Sequence, residues 1–143
     1  MYKLKTCSAF DGAHFLYGYD GKCRNIHGHR WNVEAVICGD DLDTETQTRG
    51  MLVDFSTFKR DLKLITEEYD HSLIIERDSL KSETLAALAA EDIKMNVLDV
   101  RPTAENLARL FYEKLCDMGY HVYEMTVYET PENCATYSKR SEK

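Results

Sequence analysis

"CRNIHGHRWNVEAVIC", residues 23–38, decides how this chain is read. From residue 29 to 38 apolar and polar positions alternate. Trp31, Val33, Ala35 and Ile37 face one way, and Arg30, Asn32 and Glu34 the other. Successive side chains of an extended chain point to opposite sides, so this is a half-buried strand. His27 and His29 share the parity of Trp31 and Val33. If the strand starts early enough to include them, both imidazoles lie on the inward face. An inward pair of imidazoles needs polar partners.

Upstream, residues 2–10 alternate well enough for a strand, with Tyr2, Leu4 and Phe10 on one side. Residues 11–26 hold three glycines and several polar residues and read as a loop. His14 lies at the end of the first strand region, where a neighbouring strand can bring it near His27 and His29. Three neutral imidazoles around one site match a catalytic zinc, which keeps a fourth position open. Three unrelated, hydrogen-bonded histidines explain the same residues, and imidazole also suits iron and other transition metals.

Downstream, "GDDLDTETQTRG" is a polar connection. A helix follows Asp54 as N-cap, with Phe55, Phe58, Leu62, Ile65 and Tyr69 at helical spacing. "SETLAALAAEDI" reads as a short helix. Thr103 caps a further helix whose buried stripe is Ala104, Leu107, Ala108, Phe111, Leu115 and Met118, and Gly119 ends it. Residues 120–129 and 133–139 read as two more strands. The expected fold is therefore α+β, a mainly antiparallel sheet with helices on one face. A four-stranded sheet leaves two edges to be covered, blunted or paired, and a closed oligomeric barrel is one solution.

The bulk numbers bound the rest. A chain of 143 residues with 43% hydrophobic content suits one domain, residues 1–143, with a real core. No apolar run approaches the roughly 20 residues of a membrane span. "MYKLKTCSAF" lacks the apolar centre of a signal peptide, which leads to the expectation of a cytoplasmic protein. Five cysteines without a CxxC pair fit a reducing compartment better than a disulfide framework. A net charge of −7 disfavours nonspecific nucleic-acid binding. It leaves room for a small anionic ligand near Lys22, Arg24 and Arg30.

Three further places carry candidate chemistry. Cys23 is flanked by Lys22 and Arg24, and cations and a nearby metal favour the thiolate, a nucleophile or general base. Asp70-His71 closes the first helix. An aspartate that orients an imidazole prepares it for proton transfer, but consecutive side chains diverge on a helix, and a histidine there also suits the helix dipole. Glu129 ends the third strand with the parity of Met125 and Val127. It is either a carboxylate for the N–H groups of a flat heterocycle or a solvated strand end.

Together "FDGAH", "KCRNIHGH", "MLVDF", "DH", "PTAEN" and "YET" occur in an order that resembles the 6-pyruvoyl-tetrahydropterin synthase and 6-carboxy-tetrahydropterin synthase (QueD) family, from about Phe10 to Glu129. The resemblance implies a tunnelling fold, a ββααββ unit whose sheets join into a barrel. It implies a homohexamer of two trimers with active sites at subunit interfaces. It also implies zinc on His14, His27 and His29, with Cys23 as proton acceptor and His71, paired with Asp70, as the second acid–base group. Glu129 matches the residue that anchors the pterin, and Thr103 and Glu105 match the segment beside the substrate pocket.

The implied substrate is 7,8-dihydroneopterin triphosphate. The carboxy branch releases triphosphate and acetaldehyde and leaves 6-carboxytetrahydropterin for queuosine precursors. The pyruvoyl branch keeps the side chain. Two features depart from the family pattern: Ile75 stands where an asparagine is expected, and the segment from Glu76 to Val100 is longer than in compact members. Cys23 together with Ile26 disfavours a third branch, which uses a glutamate. The expectation is thus a zinc-dependent 6-carboxytetrahydropterin synthase. Its alternatives are the pyruvoyl-forming enzyme and a non-catalytic zinc or pterin-binding module, and the retained Cys23, Asp70, His71 and Glu129 speak against the last.

Overall fold

The computed structural model describes residues 1–45 and 47–139. Two long strands, β1 (Tyr2–His14) and β2 (His27–Gly39), pair antiparallel along their whole length, from Tyr2 opposite Gly39 to His14 opposite His27. They are followed by α1 (Phe55–Glu67), β3 (Ser72–Glu76), α2 (Ser82–Ala90), β4 (Met95–Leu98), α3 (Ala104–Asp117), β5 (Val122–Tyr128) and β6 (Cys134–Tyr137). The six strands form one sheet in the order β4-β3-β1-β2-β5-β6.

The α+β class holds, and the mainly antiparallel sheet also carries two short parallel pairings. β3 runs parallel to β1 over Gly12–His14, and β4 runs parallel to β3. Neither strand is legible from alternation. Leu73, Ile74 and Ile75 of β3 are all buried, so the strand has no polar face to betray its period. β4 is four residues long. Ile75, the departure from the family pattern, packs with Phe15 and Leu73 in a small second core.

The main core lies between one sheet face and two helices. Phe10, Trp31, Val33, Ala35 and Ile37 meet Phe58 and Leu62 of α1 and Leu107 and Phe111 of α3. Both helices start where side-chain caps satisfy their first free amides. The Asp54 carboxylate accepts from the Ser56 and Thr57 N–H groups, and Thr103 Oγ1 accepts from Asn106 N–H at 3.3 Å. The expectation of helices on one face fails for α2. Its Leu85 and Leu88 pack with Ala13, Leu73 and Ile75, which point away from the main core. Two expected core positions are also exposed: Phe55 precedes the buried face of α1, and Met118 lies beyond the last turn of α3. No helix among the described residues is long and apolar enough to cross a membrane.

The first strand does not stop at residue 10 but continues to His14, so the loop expected over 11–26 begins only at Phe15. β2 likewise begins at His27 rather than residue 29. Both extensions matter, because they bring the three histidines onto paired strands.

Candidate metal and acid–base site

His14 and His27 are cross-strand partners, and His29 lies opposite Gly12 two pairs further in. All three point to the face that carries Trp31. Trp31 is held by Nε1–H donating to Gly12 O at 3.1 Å, and the His14 and His29 rings stand edge-on to it. The imidazole centroids form a triangle with sides of 4.6, 4.9 and 5.1 Å.

The hydrogen bonds fix the tautomers. His14 Nδ1 lies 2.7 Å from Pro102 O, and His27 Nδ1 lies 2.7 Å from Asn25 O. A carbonyl only accepts, so each Nδ1 carries a proton, and in a neutral ring that leaves Nε2 as the lone pair. Those two Nε2 atoms are 3.1 Å apart. His29 Nε2 is buried without a hydrogen-bond partner. Glu129 Oε1 sits 3.2 Å from it, near enough for an ion pair but not aligned as a hydrogen bond. Ligand atoms of His14, His27, His29 and Glu129 all lie within 4.8 Å of one another. Converging lone pairs repel unless a cation stands between them, so this donor set fits a divalent metal. Burial pushes the His14 and His29 imidazoles below their ordinary pKa, which keeps them in the neutral, ligating form.

Cys23 belongs to the same place. It lies on a single turn of 3-10 helix, Lys22–Arg24, and its carbonyl accepts from Leu16 N–H at 2.9 Å. With Lys22, His27, His29, Glu129, Thr130 and Asn133 it lines a cleft of about 530 Å³. Thr103 and Glu105 do not line this cleft. Thr103 caps α3 and Glu105 is exposed on its first turn. Their segment meets the site instead through the carbonyl of Pro102.

Asp70 and His71 form a second constellation. Asp70 Oδ2 lies 2.8 Å from His71 Nδ1, so the consecutive side chains do meet. They are past the end of α1, and His71 adopts φ +52°, which removes the divergence imposed by a regular helix. Asp11 locks this turn with its backbone. Its N–H donates to Asp70 Oδ1 at 2.8 Å, and its carbonyl accepts from His71 N–H at 2.7 Å. These bonds, that from Asp11 first and that from His71 second, hold the Asp70 carboxyl below its ordinary pKa. His71 lines a different cleft, of about 600 Å³, with Asp11, Arg30 and Lys94. His29 borders both clefts, because its strand separates them.

Sequence reasoning missed the carbonyls of Pro102 and Asn25 and the backbone of Asp11. Main-chain groups leave no mark in residue identity. The signal available was position: all three lie within the motifs "FDGAH", "RNIHGH" and "PTAEN".

The family model described as 6-pyruvoyl tetrahydropterin synthase matches residues 3–140. The chain belongs to this family. A 6-carboxy-5,6,7,8-tetrahydropterin synthase of Haemophilus influenzae is 32% identical over 142 residues, covering 97% of this chain and 100% of that protein. The fold of the 6-pyruvoyl tetrahydropterin synthase family recurs in solved structures. An uncharacterized protein from Wolinella succinogenes superposes with a TM-score of 0.74 at 21% identity, covering 97% and 98% of the two chains. The 6-pyruvoyl tetrahydropterin synthase of Caenorhabditis elegans gives a TM-score of 0.67 at 24% identity, covering 97% and 96%.

Proposed function

We propose that the protein is a zinc-dependent 6-carboxy-5,6,7,8-tetrahydropterin synthase. It converts 7,8-dihydroneopterin triphosphate to 6-carboxytetrahydropterin, acetaldehyde and triphosphate on the route to queuosine. The observation that carries the reading is the convergence of the His14 and His27 Nε2 atoms, 3.1 Å apart beside the unpartnered His29 Nε2, in the cleft of Cys23. Relatives named for this activity cover nearly the whole chain.

His14, His27 and His29 hold the zinc, which when bound acts as a Lewis acid on the substrate's side-chain oxygens. The Pro102 and Asn25 carbonyls keep the His14 and His27 rings oriented toward it. Cys23 accepts a proton from the substrate side chain. In the His71 imidazole, Nδ1–H is spent on Asp70, which leaves Nε2 to exchange the second proton. Glu129 accepts from N–H groups of the pterin.

That Cys23 and His71 line separate clefts of one chain supports a site completed by a second chain. The sheet's free edges support such an assembly. Among the described residues β1 has no strand partner beyond β2 over residues 2–11, and β6 is the outermost strand at the opposite end. Unlike edges that pair head to tail close into a ring. A homohexamer of two trimers in the cytoplasm is the proposed state.

Incubation of the zinc-loaded protein with 7,8-dihydroneopterin triphosphate tests the reading. Acetaldehyde with 6-carboxytetrahydropterin is expected. A 6-pyruvoyl product without acetaldehyde would assign the chain to the pyruvoyl branch instead.

A further inference from the structure

The turn that carries Asp70 and His71 is gripped from two sides. On one side is the Asp11 backbone of β1. On the other is β4, part of the segment longer than in compact family members. The carbonyls at a helix C-terminus lack partners within the helix. Here Lys94 Nζ donates to Glu67 O at 3.2 Å and to Asp70 O at 3.0 Å. Asn96 Nδ2 donates to Glu68 O at 3.0 Å and to Ser72 Oγ at 2.9 Å. Ser72 Oγ–H in turn donates to Tyr69 O at 2.7 Å. Side chains of β3, β4 and the residue preceding β4 thus take every carbonyl from residue 67 to 70.

This clamp has a clear object. His71 sits at φ +52°, in the left-handed region that L-residues with a side chain disfavour. Such a conformation persists only where the surroundings over-determine it. Released, the turn relaxes toward ordinary backbone angles, and consecutive side chains then diverge. Lys94 is placed for its task by the bond from Leu73 N–H to Lys94 O at 3.0 Å, which sets the start of β4 beside β3. Its ammonium also lines the cleft onto which His71 opens.

We propose that Lys94, supported by Asn96, is a positioning residue that holds the Asp70–His71 pair in its proton-transfer geometry. The role of that pair in turnover rests on the function proposed above; its positioning does not. The segment 76–100 thereby gains a purpose, since the crossover through α2 is what delivers β4 to the back of the turn.

The test uses the full-length, zinc-loaded protein with isotope-labelled histidine, read by NMR without substrate and by turnover of 7,8-dihydroneopterin triphosphate. In the native protein His71 is the Nδ1–H tautomer. In Lys94→Ala its resonances should move toward a tautomer average. kcat should fall roughly 10- to 100-fold while KM and zinc content stay within about twofold. Lys94→Arg, which keeps a cationic donor, should restore both readouts. Asn96→Ala should move the His71 signal in the same direction. An unchanged His71 signal in Lys94→Ala and Asn96→Ala overturns the proposal. So does a fall in kcat with the His71 signal unmoved, because Lys94 would then act on the substrate. If the native protein does not turn over this substrate but Lys94→Ala still shifts His71, the positioning stands and the functional reading falls. Should Lys94→Ala not fold, Lys94→Met keeps the apolar stem and is read the same way. Loss of fold in both reduces Lys94 to a structural cap and overturns the proposal.

Discussion

Asp70 Oδ2 and His71 Nδ1 lie 2.8 Å apart although the two residues are consecutive in the chain. The contact exists because His71 leaves the helical backbone region, at φ +52°, and because Asp11 holds both residues through its own peptide groups. The carboxylate thereby fixes the proton on Nδ1 and leaves Nε2 toward solvent. Asp70→Asn preserves the size of the side chain but can present its amide to the ring and reverse the tautomer. We expect kcat to fall about 10²- to 10⁴-fold with zinc content unchanged, measured by steady-state turnover and metal analysis.

Cys23 lines the metal cleft but supplies none of the clustered ligand atoms. Cys23→Ala should therefore separate binding from chemistry. Turnover should drop by roughly 10²-fold or more while zinc stoichiometry stays at the native level. Normal turnover by this variant would remove Cys23 from the proton-accepting role.

Glu129 Oε1 stands 3.2 Å from His29 Nε2, beside the candidate metal ligands. Three imidazoles already suffice for a zinc with an open position. Glu129→Gln should thus retain the metal and raise KM by roughly tenfold, the cost of about one charge-assisted hydrogen bond to the pterin. A variant that loses its zinc but binds pterin normally would make Glu129 a fourth ligand instead.

The metal-free protein should be acid-sensitive. Burial lowers the pKa of His14 and His29 from the ordinary 6.5. Below that value the unfolded chain takes up protons that the folded chain refuses, so stability falls with pH until the depressed folded pKa is passed. Denaturant unfolding of the metal-free protein should show this loss setting in as pH falls below 6.5. Zinc, which occupies the neutral imidazoles, should move the loss to lower pH.

A second titration lies far from the site. Tyr120 O–H donates to Asp61 Oδ2 at 2.7 Å, and burial together with this carboxylate pushes the phenol up to about 12. Between 10 and 12 the unfolded chain loses the phenolic proton that the folded chain keeps. The contribution is therefore complete below pH 10 and lost as pH rises through about 12. Tyr120→Phe should cost about 1 kcal/mol at neutral pH and flatten the alkaline limb of the stability profile.

The parts of the molecule that alternate or follow helical spacing were legible in the sequence. β2 declares itself through Trp31, Val33, Ala35 and Ile37, and α3 through Thr103 and its apolar stripe. β3 was not legible, because "SLII" is buried on both faces and has no period, and β4 was too short. The histidine cluster could be suspected from parity alone, since His27 and His29 share the face of Trp31. Its third corner needed the register that sets His14 opposite His27. What no residue identity reveals is the tautomer control by Pro102 and Asn25, because it is exerted by carbonyls. The Asp70–His71 contact was hidden for a related reason. Local rules disfavour it on a helix, and it occurs in a turn tied by tertiary hydrogen bonds to Asp11, Lys94 and Asn96.

The claim beneath all of this is that His14, His27 and His29 surround a zinc ion. Quantitative metal analysis of the purified, folded protein, run beside His27→Ala, tests it most directly. One zinc per chain in the native protein and its loss from a folded His27→Ala are expected. A folded native chain that takes up no stoichiometric zinc, or a His27→Ala variant that retains it all, would contradict the claim.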